Sequence, residues 1–114
     1  MDTASVTDLL QRERATTLAQ QEQLRRDLDE IIAAAADVAT DDEHDPEGPT
    51  IAYERARIQA LLDQSQAHLD EIGTAFARLE AGSYETCDKC GRQIGLERLR
   101  ARPAVRTCIA CASG

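Results

Sequence analysis

Residues 7–39, TDLLQRERATTLAQQEQLRRDLDEIIAAAADVA, contain no Gly or Pro, and Leu10, Thr17, Leu24, Ile31 and Val38 recur in them every seven residues. Leu28 and Ala35 stand four after Leu24 and Ile31, so the apolar positions follow the two rows of a coiled-coil seam. A second seam follows. Ile51, Ile58, Ser65, Ile72 and Leu79 form one row, with Leu62, Leu69 and Phe76 in its companion.

Between the seams lies Thr40-Asp41-Asp42-Glu43-His44-Asp45-Pro46-Glu47-Gly48-Pro49, whose two prolines and one glycine break both helical patterns. Pro49 suits the first turn of the second helix. The flanking segments are nearly equal, each roughly 50 Å long at 1.5 Å per residue, which favours an antiparallel hairpin. Gly82 is the expected stop of the second helix, since glycine closes a helix in the left-handed conformation without penalty. Arg14, Gln21, Arg55 and Ser65 on the seam rows, and Gly73 in mid-helix, make the pairing modest. The expected fold is all-α: a coiled-coil hairpin over residues 1–81, its tip at about 40–49, then a cysteine module over 82–114.

The cysteine spacing predicts that a metal staples this module. Cys87-Asp88-Lys89-Cys90 and Cys108-Ile109-Ala110-Cys111 are two C-x-x-C pairs separated by 17 residues, the spacing of a four-cysteine zinc site. Two intervening residues let a tight turn aim both sulfurs at one ion, and Gly91 lets the backbone bend closely after Cys90. A redox dithiol uses a single C-x-x-C on a βαβ pattern, which is not visible here. An iron–sulfur cluster, also held by four thiolates, is the harder rival. With four protein ligands, one zinc has no open position for water and serves structure, not Lewis-acid chemistry.

The 114-residue chain has one Phe, two Tyr and no Trp, so its core is thin and aliphatic. The opening residues show no basic region before an apolar run, which predicts the reducing cytoplasm and thiols in place of disulfides. No apolar stretch approaches the roughly 20 residues a membrane crossing needs. The formal charge of −8 is unevenly spread: residues 1–81 carry 18 acids and 7 bases, residues 82–114 carry 3 acids and 6 bases. Arg92, Arg98, Arg100, Arg102 and Arg106 could meet phosphates, but four thiolates and one zinc reduce the module's formal +3 to about +1, a poor nucleic-acid footprint. His44 and His68, read as a loop and a helix-surface residue, have no serine or cysteine partner arranged for nucleophilic catalysis. An enzyme is not expected.

The run Cys87-x-x-Cys90-Gly91-x-x-Ile94-Gly95-x-x-Arg98-Leu99-x-Ala101-Arg102-Pro103-x-x-x-x-Cys108-Ile109-x-Cys111, with Tyr84 three residues before it, resembles the signature of the TraR/DksA family. The resemblance implies a cytoplasmic, DksA-like transcription regulator that binds RNA polymerase, with the coiled coil in the secondary channel and acidic tip residues near the catalytic magnesium. It implies one structural zinc on Cys87, Cys90, Cys108 and Cys111. Asp42, Asp45 and Glu47 are the candidate tip residues, and Arg98 and Arg102 are candidates for polymerase contact or for bracing the finger.

The sequence departs from the family pattern in several places. The tip motif of aspartate, two residues, aspartate, one residue, alanine has no complete copy: one register puts Gly48 and Thr50 at the remaining positions, the other His44, Glu47 and Pro49. Of the two lysines and one arginine that hold ppGpp in some members, only the arginine persists, as Arg102, with Glu71 and Ala112 at the lysine positions. Weak or absent ppGpp synergy is expected. With Gly114 three residues after Cys111, the C-terminal helix of longer members is expected to be missing. The alternatives are a zinc-stabilised coiled-coil adaptor and a nucleic-acid binder with no polymerase activity.

Overall fold

The structure, a computed structural model, describes residues 2–39 and 48–113. It is all-helical: α1 spans Thr3–Ala39, α2 Gly48–Ala81, α3 Leu96–Ala101 and α4 Ile109–Ser113. Among the described residues the single extended pairing is an antiparallel bridge between Thr86 and Gln93. No described helix is long and apolar enough to cross a membrane.

Helix α1 begins one turn earlier than the heptad count implies. The carboxylate of Asp2 accepts from the Ser5 N–H at 2.7 Å, capping the first turn, and the Asp2 carbonyl accepts from Val6 N–H at 3.1 Å. Hydrogen bonding from Ser5, first its main-chain N–H and then its side chain, holds the Asp2 carboxyl below its ordinary range. The added turn brings Val6, four residues before Leu10, into the buried row. Helix α2 admits Pro49 at its second position, where a missing N–H costs nothing. It ends as expected at Gly82, whose φ is 81°. Gly82 N–H donates to Leu79 O at 3.2 Å and Ser83 N–H to Arg78 O at 2.9 Å, the paired bonds of a Schellman cap.

The chain forms two compact units, one of Met1–Thr17 with His68–Gly114, the other of Leu18–Ala67. The first holds the main core. Val6 and Leu10 of α1 and Ile72 and Ala75 of α2 pack with Tyr84, Cys87, Ile94, Leu99 and Ala104 from the cysteine module, flanked by Phe76, Leu79 and Val105. The helix bases and the module therefore share one interior. Thr17, on the predicted seam, is also buried here and satisfies its hydroxyl on Glu13 O at 2.8 Å. His68 is not simply a surface residue: its Nε2 lies 2.9 Å from Glu13 on α1, and its Nδ1 3.5 Å from Glu71.

The second unit is thinner. Ile58 and Gln21 are its buried seam residues, and Leu24, Leu28, Ile31 and Leu62 are half-buried. Gln21 Nε2 donates to Gln66 Oε1 at 3.2 Å, making a polar layer where a leucine pair would otherwise sit. Ser65 turns its hydroxyl back to Leu62 O at 2.8 Å. Leu18, Ile32 and Tyr53 stay exposed.

Candidate metal centre

The first cysteine pair sits on a tight hairpin. Cys87 N–H donates to Arg92 O at 2.7 Å, Gly91 N–H to Cys87 O at 3.0 Å and Ile94 N–H to Glu85 O at 2.8 Å. The turn needs Gly91, whose φ of 77° is a conformation that residues with a Cβ rarely adopt. The chain then crosses α3, anchored by the fully buried Leu99, and returns to Cys108 and Cys111 at the start of α4. Asp88 N–H donates to Arg106 O at 2.9 Å, stitching the two cysteine loops together, and their side chains approach to 3.8 Å. Tyr84, buried beneath the hairpin, donates its hydroxyl to Pro103 O at 2.7 Å.

This frame brings all four sulfurs, of Cys87, Cys90, Cys108 and Cys111, within 4.8 Å of one another. Cys90 Sγ and Cys108 Sγ are 3.7 Å apart. Zinc–thiolate bonds of about 2.3 Å make a tetrahedron with edges of about 3.8 Å, so this separation fits a shared ion. It is far longer than the roughly 2.05 Å of a disulfide, and the four thiols are free. Cys87 is fully buried in the shared core, whereas Cys90 is exposed and the other two are half-buried.

The surroundings spread the thiol acidities apart. Main-chain hydrogen bonds from Cys108 and then Cys90 bring Cys87 down to about 6. A main-chain hydrogen bond from Cys111 lowers Cys108. Cys111 goes the other way, pushed up to about 12 because its thiol hydrogen-bonds first to Cys108 and then to Cys87 and Cys90. Thiolate charge thus collects where main-chain donors support it, and a cation at the centre of the four sulfurs would relieve their mutual repulsion.

Of the two arginines singled out from the sequence, Arg98 braces the finger internally: its Nε donates to Thr107 O at 2.9 Å. Arg102 is exposed and lines an open groove with Leu96, Ala101 and Ile109. The bracing residue that the sequence did not reveal is Arg78, on α2, which donates to Ser83 O at 2.9 Å and also to Thr86 O. Asp42, Asp45 and Glu47 lie outside the described residues.

Residues 82–114 match the prokaryotic dksA/traR C4-type zinc finger. The likeness extends past the finger: the structure of the transcription factor DksA2 from Pseudomonas aeruginosa superposes with a TM-score of 0.77 at 28% identity, covering 99% of this chain and 84% of that one. The cysteine module is thus similar to a dksA/traR C4-type zinc finger, over 33 of the 114 residues. Its metal is one structural zinc. The RNA polymerase-binding transcription factor DksA of Caulobacter vibrioides is 40% identical over 50 residues, 44% of this chain and 35% of that protein. The DksA of Haemophilus influenzae is 35% identical over 49 residues, 43% of this chain and 34% of that protein. General stress protein 16O of Bacillus subtilis is 29% identical over 68 residues, 60% of this chain and 42% of that protein. The chain thus spans less than half the length of each of these curated relatives.

Proposed function

We propose that this chain is a DksA-like regulator of transcription that binds RNA polymerase through its secondary channel. Residues 1–81 would enter as a coiled-coil hairpin with Asp42, Asp45 and Glu47 near the polymerase active site, while residues 82–114 form the finger. The observation that carries this reading is the likeness to a DksA2 structure over 99% of the chain, helices as well as finger. Two of the relatives bear the name of RNA polymerase-binding factors.

Chemistry supports a binding role in the cytoplasm over catalysis. Cys87, Cys90, Cys108 and Cys111 as ligands complete the zinc coordination, leaving no position for water or substrate. The 18 acids against 7 bases of residues 1–81 disfavour direct contact with nucleic acid and favour a protein partner. Glu71 and Ala112, where lysines hold ppGpp in some family members, argue for little ppGpp synergy, and the incomplete tip motif argues for an action on promoters unlike that of members with the full motif.

The test is co-purification of the tagged protein with RNA polymerase beside a D42A/D45A/E47A variant. Binding by both, with transcription altered only by the intact tip, supports the proposal. No binding by either moves the assignment to a coiled-coil adaptor that kept the fold and changed partner.

A further inference from the structure

The cap that ends α2 is tied to the finger by one side chain. Arg78 holds residue 83 from both sides: its carbonyl accepts the Ser83 N–H at 2.9 Å, and its Nη2 donates to the Ser83 carbonyl at 2.9 Å. The same nitrogen reaches the carbonyl of Thr86, the residue before Cys87. Thr86 N–H in turn donates to Ser83 O at 3.1 Å, so the two carbonyls under the guanidinium belong to one turn. That turn leads directly into the most buried of the four cysteines.

The residue type suits the position. The last carbonyls of a helix carry the negative end of its dipole, which favours a cation. Guanidinium is permanently charged and presents several N–H donors in a fixed plane, so it can serve two acceptors at once. Arg78 is the basic residue in the last turn of α2.

We propose that Arg78 is a positioning residue for the metal centre. By clamping the carbonyls of Ser83 and Thr86 it fixes the direction in which Cys87 enters the thiolate tetrahedron, and thereby sets how tightly the finger holds zinc. It acts through the main chain and does not ligate the ion. Without the clamp, zinc binding must also order residues 83–86, and that ordering opposes binding. Outer partners of metal ligands contribute about 10–100-fold in affinity, the range expected here.

The proposal rests on the zinc reading of the four cysteines, and the experiment separates the two. Full-length wild type, Arg78→Met, Arg78→Lys and Ile58→Val are titrated for zinc against a chromophoric chelator, with helix content read by circular dichroism. Failure of the wild type to bind zinc overturns the metal reading and this proposal together. With wild-type binding intact, the expected result is a loss of about tenfold or more in Arg78→Met, a smaller loss in Arg78→Lys, and none in Ile58→Val, which trims a buried seam residue of the other unit. The cobalt-substituted Arg78→Met protein should keep the spectrum of a tetrahedral four-thiolate centre, showing that the ligands remain and only their cost of assembly has changed. Wild-type affinity in Arg78→Met, or an equal loss in Ile58→Val, overturns the proposal. Should Arg78→Met lose its helix content, Arg78→Lys decides: weakened zinc binding supports the clamp, and wild-type affinity overturns it.

Discussion

The hydroxyl of Tyr84 donates to the carbonyl oxygen of Pro103 at 2.7 Å, closing a 19-residue span of the finger through a buried bond. Tyr84 enters just after the α2 cap and Pro103 just after α3, so the bond pins the two halves of the finger over Leu99 and Ile94.

Tyr84→Phe keeps the ring in the core but leaves the Pro103 carbonyl without its donor. A loss of about 1–3 kcal/mol is expected at neutral pH, measured by denaturant unfolding of the zinc-loaded protein. Burial, foremost, raises the Tyr84 phenol above its ordinary value near 10. A raised acid favours its neutral form in the fold, so its contribution is fully present below the ordinary value and is lost as pH climbs through the folded one. Wild type should therefore lose stability on that alkaline side more steeply than Tyr84→Phe. Parallel alkaline profiles for the two proteins would remove Tyr84 as the cause.

Zinc removal should reach beyond the finger. Cys87 sits in the same core as Val6, Leu10, Ile72 and Ala75, so a finger that opens exposes the base of both helices. Zinc supplies about 10–16 kcal/mol of binding energy in finger peptides, comparable with the whole stability of an ordinary domain. Chelation is expected to lower the melting temperature and part of the helical signal together; an unchanged helix melt would place the helix bases outside the zinc-dependent unit. Reloading should release protons, because the thiols of the opened finger, with an ordinary value of about 8.5, are mostly protonated at neutral pH and bind the metal as thiolates. Calorimetry in buffers of different ionisation enthalpy counts them.

Core truncation should separate the two units. Leu10→Ala empties a fully buried site between the helix bases and the finger, and a loss of about 2–5 kcal/mol is expected. Tyr53→Ala, at an exposed position of the other unit, should stay within about 0.5 kcal/mol. Chemical denaturation of both variants checks the contrast.

Much of this architecture is legible in the sequence because two strong periodicities carry it. The heptad rows give Leu10, Thr17, Ile58 and Ile72 as interior, and the cysteine spacing gives four sulfurs that meet in space. The extra first turn of α1 was signalled only by Asp2 three residues before Ser5, a capping pattern outside the heptad count. Arg78 escaped notice because its acceptors are main-chain carbonyls, which every residue has and no sequence pattern marks. Glu13 and His68 are 55 residues apart, and only the register of the helices sets them opposite each other. The five arginines of the finger stood out by charge, yet Arg98 spends its Nε on a neighbouring carbonyl.

Gly73 tests whether α2 is held by packing or by propensity. It lies inside an uninterrupted helix, and a Cβ added there meets nothing within 4 Å. Its backbone has no positive φ, unlike Gly82, Gly91 and Gly95. Alanine therefore gains helix propensity and reduces the freedom of the unfolded chain, without displacing a neighbour. Gly73→Ala should stabilise the zinc-loaded protein by about 0.5–1 kcal/mol, read as a rise in melting temperature, with zinc affinity unchanged. The same substitution at Gly91 forces a side chain into a φ of 77° and should destabilise the finger instead. A stabilised Gly91→Ala would mean that the hairpin carrying Cys87 and Cys90 does not need the left-handed turn.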